Sequence, residues 1–316
     1  MWPLVTLKSV LLDQSDKQLV ALDRKVRRDL ARGFPNEWTP PNASFLEVSD
    51  EAEHLLSIYH SLFLSNHGQI REALSLLENV LGKATVVHLH ARALQILAQL
   101  LYSESISERS AGRIQEADRF DNECRKVFDQ GLREISGQVW ARSITHMLHV
   151  ALGILDYHQG NRATAKLHLL KSIDEYSEVK SEYDKSNPNI AVGYYYLGVL
   201  ANESRNYREG ATYLAKAVRQ LPAHLVPNAY SQQACALLRM GDFRAARRHA
   251  KRGLRAAYAV NSTSITNELK GYLSEAELRL GNTTAAKRLM GEVSASDLGG
   301  EWKQRAERWL RSLQKK

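Results

Sequence analysis

YYYLGVLANESRNYREGATYLAKAVRQLP, residues 194–222, is the stretch that decides the fold. Tyr194, Leu197, Gly198 and Ala201 fall at helical spacing ahead of the segment RNYREGA, which starts at Arg205. Gly210, Leu214 and Ala217 take up the same spacing after it. The pattern is two amphipathic helices joined by a tight turn.

The turn segment recurs along the chain. GQIREAL begins at Gly68, GRIQEAD at Gly112, GNRATAK at Gly160, GDFRAAR at Gly241 and GNTTAAK at Gly281. Five of the six segments read Gly-x4-Ala, pairing Gly68 with Ala73, Gly112 with Ala117, Gly160 with Ala165, Gly241 with Ala246 and Gly281 with Ala286. The sixth has Arg205 and Gly210 at those places. A glycine there ends the first helix in a left-handed C-cap. The small residue opening the second helix lets two backbones approach closely. Leu74, Leu77, Val80 and Leu81 continue one apolar stripe, and Leu167, Leu170 and Ile173 another.

Composition agrees with helix. The chain has 316 residues, 44% hydrophobic and 25% charged, with only 7 prolines and 18 glycines. The β-branched, turn-rich spacing of a sandwich or barrel is missing. A net charge of +8 predicts a cationic field that favours acidic partners. Cys124 and Cys235 lie far apart, without a CxxC or a His neighbour, and read as buried thiols in a reducing compartment. The start, Met1 to Lys8, has no cationic n-region, and no stretch approaches the ~18 apolar residues of a transmembrane helix. The expected location is the cytoplasm, with the nucleus or an organelle open for a eukaryotic source.

Residues 194–222 resemble a tetratricopeptide repeat. Tyr194, Leu197, Gly198, Ala201, Gly210, Leu214, Ala217 and Pro222 stand at the family's spacing, with Ala201 in place of an aromatic and Gly210 in place of alanine. Leu152, Gly153, Ala165 and Leu169 keep the pattern in the third hairpin, where Asp156 takes the aromatic position and Ser172 comes late. Tyr230, Ala234, Phe243, Ala246 and Ala250 keep it in the fifth. The likeness spans roughly residues 50–294 and implies an all-α, right-handed superhelical solenoid of about six hairpins. Turn positions 36 to 48 residues apart exceed the family's usual ~34, which predicts long helices such as 85–111 and a long connection at 180–189. Long irregular repeats also occur in tetratricopeptide receptors for bacterial signalling peptides, so a peptide-sensing receptor stays open.

The flanks differ from the repeats. Residues 1–48 read as an N-terminal segment with an Arg- and Lys-rich helix at 16–33 and a proline-containing linker; 49–294 form the repeats. Residues 295–316 read as a terminal helix with Trp302, Ala306, Trp309 and Leu313 on one stripe, suited to cap the open end of a solenoid.

No phosphate loop, HExxH, GxSxG or kinase signature occurs, and the carboxylates are scattered, so no enzyme activity, cofactor or metal is expected. His88 and His90 point apart on a helix; His146 and His149 share a face but have no acidic or cysteine ligand nearby in sequence. The resemblance implies a groove lined by the first helix of each hairpin: Ile58 and Leu62; Val150, Ile154 and Tyr157; Tyr195, Val199 and Asn202; Ser231, Gln232 and Leu238, with Cys235 and Glu275 beside them. Ile58 and Leu62 stand where the family's chaperone-tail clamp needs Lys and Asn, so the groove suits an apolar or amphipathic peptide or helix. A neighbouring helix or the chain's own N-terminal segment is the other candidate occupant.

Arg244, Arg247, Arg248, Lys251, Arg252 and Arg255 form one cationic stripe at helical spacing, with Asp242 the only acid close by. Phosphate, an acidic protein segment and a lipid headgroup all fit it, and so does solvent. The leading expectation is a non-catalytic scaffold or adaptor binding a protein or peptide partner in the groove. A regulator docking nucleic acid on the basic face is the alternative.

Overall fold

The computed structural model describes Val26 and residues 50–84, 87–135, 142–179, 188–296 and 301–314. The helix expected at 16–33, the linker after it and most of the 180–189 connection lie outside the described residues. Within the described residues there are thirteen helices and no strand. They belong to two compact units that divide between Tyr183 and Asp184.

The first unit holds three antiparallel hairpins: α1 (Asp50–Asn66) with α2 (Ile70–Lys83), α3 (Val87–Ser110) with α4 (Ile114–Ile135), and α5 (Arg142–His158) with α6 (Arg162–Val179). The second holds α7 (Pro188–Glu203) with α8 (Tyr207–Ala217), α9 (Val226–Arg239) with α10 (Phe243–Ala259), α11 (Thr263–Arg279) with α12 (Thr283–Ser294), and a last helix α13 (Glu301–Gln314). Helix α7 begins at Pro188, inside the connection expected to reach residue 189, because proline lacks only an N–H that a first turn leaves unused. In each unit the first helix of a hairpin packs on the first helix of the next, and the second helix packs there too. Each unit is therefore a short helical solenoid of tetratricopeptide type.

The turns are built as their sequence implies. The five segment-opening glycines all have positive φ, 78° to 85°, and Arg205 takes the same left-handed place at 61°. Each turn closes the same way: Gly160 N donates to Tyr157 O at 3.1 Å and Asn161 N to Asp156 O at 2.8 Å; Arg205 N donates to Asn202 O and Asn206 N to Ala201 O. These bonds satisfy carbonyls that a helix end otherwise leaves open. The turn between α10 and α11 repeats the device with Asn261 at φ 52°. That one carries no Gly-x4-Ala signal, since asparagine is the next best left-handed residue.

All six small residues, Ala73, Ala117, Ala165, Gly210, Ala246 and Ala286, are buried where the two helices of a hairpin meet. A Cβ built on Gly153 would lie 3.2 Å from Ala165 O and 2.6 Å from Leu169 Cγ. Leu152, Leu169, Leu197 and Leu214 fill the seams; each buried leucine contributes about 1.5–3 kcal/mol. Gly253 of α10 leaves room for Leu269 of α11 in the next hairpin and for Tyr230 of α9 in its own.

Departures from the repeat pattern have local reasons. Asp156, in the aromatic position of α5, is buried and accepts from Arg125 of α4, which also donates to Gln159 Oε1 at 2.8 Å. An ion pair between hairpins thus stands where an aromatic contact would. Gly210 replaces alanine because a Cβ there would be within contact of Asn202 Oδ1 and 3.1 Å from Gly198 O.

Candidate partner-binding surfaces

In the first unit the groove residues named from the resemblance are packed away. Ile58, Val150 and Ile154 are each 1% exposed, and Leu62 is buried; only Tyr157 is partly open. The guanidinium of Arg162 covers the Tyr157 ring, 4.2 Å from its centroid. Ile58, Leu62, Val150 and Ile154 are core residues of their hairpins rather than contact residues, because a first helix wedged between neighbours buries more than one stripe.

The buried polar residues of this unit include His146, His149 and Asp156 on α5 and Ser172 on α6. His149 Nδ1 and His168 Nδ1 lie 3.0 Å apart, and the His146 ring packs against Tyr176. Burial, with His149 next to it, lowers the pKa of His146 to about 3. Burial, then His168 and Lys171, lowers that of His149 to about 4. Both are neutral rings at physiological pH. No cluster of metal-ligating side chains occurs among the described residues. His90 pairs with Glu134 at 2.6 Å; the side chain of His88 lies outside the described residues. Cys124 is buried, donating to Ala98 O at 3.2 Å.

In the second unit, Val199, Asn202, Ser231 and Leu238 are buried, while Tyr195 and Gln232 are partly open. Asn202 and Gln232 are bound to each other: Asn202 Nδ2 donates to Gln232 O at 3.1 Å and to Gln232 Oε1 at 3.3 Å. Asn202, expected in the groove, instead ties α7 to α9. Ser231 Oγ donates to Glu268 Oε1 at 2.8 Å. Cys235 is only half-buried, against the expectation of a buried thiol, and lies beside the Tyr272 phenol. Burial first, then Cys235 and Glu268, push the Tyr272 phenol upward.

The cationic stripe lies along α10. Arg244, Arg248, Lys251, Arg252 and Arg255 are exposed and Arg247 is partly so. Asp242 is the N-cap of the helix, accepting from Ala245 N at 2.9 Å. The acid that matters comes from the next hairpin: buried Glu277 of α11 lies 3.7 Å from both Arg247 Nη1 and Lys251 Nζ. Asp242 is therefore not the only acid by the stripe, and Arg247 and Lys251 are committed inside the unit. No carboxylate within ion-pair distance of Arg244, Arg248, Arg252 or Arg255 occurs among the described residues.

A third surface, which sequence reasoning missed, closes the second unit. A pocket of about 670 Å³ opens between α11, α12 and α13. Its apolar wall is Leu278, Met290, Trp302 and Trp309; its charges are Arg279, Arg305, Arg308 and Glu275. The Trp302 ring sits on the backbone of Gly271, where a Cβ would clash with it, and stands edge-on to Tyr272 at 4.8 Å. Arg305 stacks over Trp302 at 4.5 Å and Arg279 over Phe243 at 5.8 Å. The tryptophans were legible as a helical stripe, but the arginine facing them from α11, Arg279, was not.

No family model and no curated protein sequence matches the chain. Solved structures do. PilF of Pseudomonas aeruginosa is 14% identical with a TM-score of 0.57, covering 81% of this chain and 96% of its own. PilW, a type IV pilus biogenesis factor, is 14% identical with a TM-score of 0.54, covering 80% and 97%. A signal transduction ATPase with a tetratricopeptide repeat sensor, from Pyrococcus horikoshii, is 13% identical with a TM-score of 0.56, covering 89% of this chain and 42% of its own. The chain has the tetratricopeptide-repeat fold. No described helix is long and apolar enough to cross a membrane.

Proposed function

We propose that this chain is a non-catalytic protein-interaction scaffold or adaptor that holds a peptide or helix of a partner on the first helices of its hairpins. The observation that carries the reading is the pocket on α11 and α13, two such first-helix positions in succession, with an apolar wall and a charged rim. Sites of this make-up, mostly apolar with a few placed polar groups, are where ligands bind. Tyr195 and Gln232 extend the accessible first-helix surface of the same unit. Recognition of an extended or helical segment needs only such a rigid, preformed face.

The test is partner capture with the tagged full chain, repeated after nuclease treatment. A protein enriched over an unrelated tagged repeat protein, resistant to nuclease and lost in Tyr195→Ala with Leu278→Ser, supports the reading. No enrichment over that control sinks it.

A second reading rests on α10, whose Arg244, Arg248, Arg252 and Arg255 are exposed and unengaged by carboxylates among the described residues. That face would dock nucleic acid through phosphates, with little base preference. Capture that disappears with nuclease would favour it. The Pyrococcus relative's repeats are called a sensor; peptide sensing by this chain would be a narrower form of the first reading.

A further inference from the structure

Resting on the protein-interaction reading, we infer that the terminal pocket of the second unit recognises an acidic stretch of a partner polypeptide carrying one large apolar side chain. The apolar side chain sits against Trp309, Met290 and Leu278, and the flanking carboxylates meet Arg279 and Arg308.

The charge balance is the first argument. Three guanidinium groups from two helices line one concave site, against the single carboxylate of Glu275. Arg308 has no ion partner among the described residues, and Arg279 is engaged only with the Phe243 ring. Arg305 reaches Glu301 at 3.9 Å, the outer edge of an ion pair, while lying over Trp302. Like charges held together in a cleft focus a positive potential, which an incoming anion offsets. Cations spread over two helices match several carboxylates better than one, and guanidinium is the group suited to paired contact with a carboxylate.

The walls decide between kinds of anion. A nucleic-acid strand would need an open aromatic face for its bases. Of the two indoles in the lining, that of Trp302 is already taken up by Arg305, by the edge contact with Tyr272 and by the backbone of Gly271, so the pocket offers no row of aromatic faces for successive bases. Glu275 repels either kind of anion, but it offers an acceptor to a peptide N–H, a donor that a phosphodiester backbone lacks. Leu278 is an exposed aliphatic surface, useful to a buried side chain and useless to a phosphate.

The experiment uses the full chain and a pool of fluorescein-labelled, acetylated and amidated nonapeptides in which Asp and Glu flank a central Leu-Phe. Matched pools replace the acids by Asn and Gln, or Leu-Phe by Ser-Ser; a labelled oligothymidylate is the nucleic-acid arm. Anisotropy reads binding. The expected result is that only the acidic, apolar-centred pool binds. Arg279→Glu with Arg308→Glu, both exposed although the first gives up the Phe243 contact, then weakens it about tenfold or more in a chain that still melts cooperatively. Binding undiminished in that variant, or equal for the Asn/Gln pool, overturns the proposal but leaves the scaffold reading standing. Tighter oligothymidylate binding, lost with the same arginines, overturns it in favour of nucleic acid. If no probe binds, the pocket proposal fails while partner capture still judges the scaffold reading independently.

Discussion

A Cβ on Gly198 would lie 2.5 Å from Cγ of Leu214, inside any tolerable carbon contact. Gly210 O would be 3.2 Å away on the same side. The two helices of the fourth hairpin approach closely at this point, and Leu214 is fully buried. Gly198→Leu is expected to lower stability by about 1–3 kcal/mol or more, and Gly198→Ala by less. Trimming the partner, in Gly198→Ala with Leu214→Ala, should cost less than the sum of the two single changes. Denaturant unfolding of the four proteins measures that coupling; strict additivity would mean that the crossing does not lie here.

The turns make a paired prediction. Arg205 holds a left-handed conformation that costs a side chain about 1–2 kcal/mol, while glycine loses about 0.4–1 kcal/mol to unfolded-state entropy. Arg205→Gly should therefore stabilise the chain by about 0.5–1 kcal/mol. Gly160→Ala, at φ 84°, should destabilise it by a similar amount. Thermal melts of the two variants should shift in opposite directions.

The third hairpin should make the protein sensitive to acid. His146 is neutral in the fold, its pKa lowered to about 3 by burial, whereas an unfolded histidine titrates near 6.5. Above that value the ring is neutral in both states and costs nothing. As pH falls below it the unfolded chain takes up a proton that the folded chain refuses, so stability drops until the folded value is reached. At pH 5 the loss from His146 is about 2 kcal/mol. A pH series of unfolding midpoints should be visibly flatter between pH 7 and pH 5 for His146→Leu, about the range where only the unfolded ring titrates.

The α10 stripe must be tested away from Glu277. Reversing Arg247 or Lys251 would place like charges beside that buried carboxylate and confuse stability with binding. Arg248→Glu, Arg252→Glu and Arg255→Glu leave it alone and keep good helix formers. Should the face bind duplex nucleic acid, wild-type affinity must fall with salt at about −0.9 in log–log slope per phosphate contact, and the triple variant must lose it. A salt-independent or absent affinity in wild type returns the stripe to solvent or to an acidic protein.

The last helix should be held by Trp302. Gly271→Val forces the indole off its seat, since even a Cβ cannot fit beneath it. Tryptophan emission should shift to the red as α13 undocks, and deleting residues 301–316 should expose Met290 and Val293 and promote self-association. An unshifted spectrum or a well-behaved monomer would count against this docking.

The helical hairpins were legible in the sequence because their signals are local. A left-handed turn selects glycine, a helix crossing selects a small residue five positions later, and both constraints act within one turn of chain. Asn261 escaped the same reading because asparagine also fills many ordinary polar positions. What a helix face touches is a different matter, set by partners that are distant in sequence. Ile154 reads alike whether it faces a groove or a neighbouring hairpin, and packing made it core. Glu277 meets Arg247 and Lys251 only because one hairpin stacks on the next. The pocket exists because α13 folds back on α11, bringing Arg305 and Arg308 to Arg279 around an indole seated on Gly271. Sequence periodicity determined that this chain forms helical hairpins; stacking alone decided which of their faces remained for a partner.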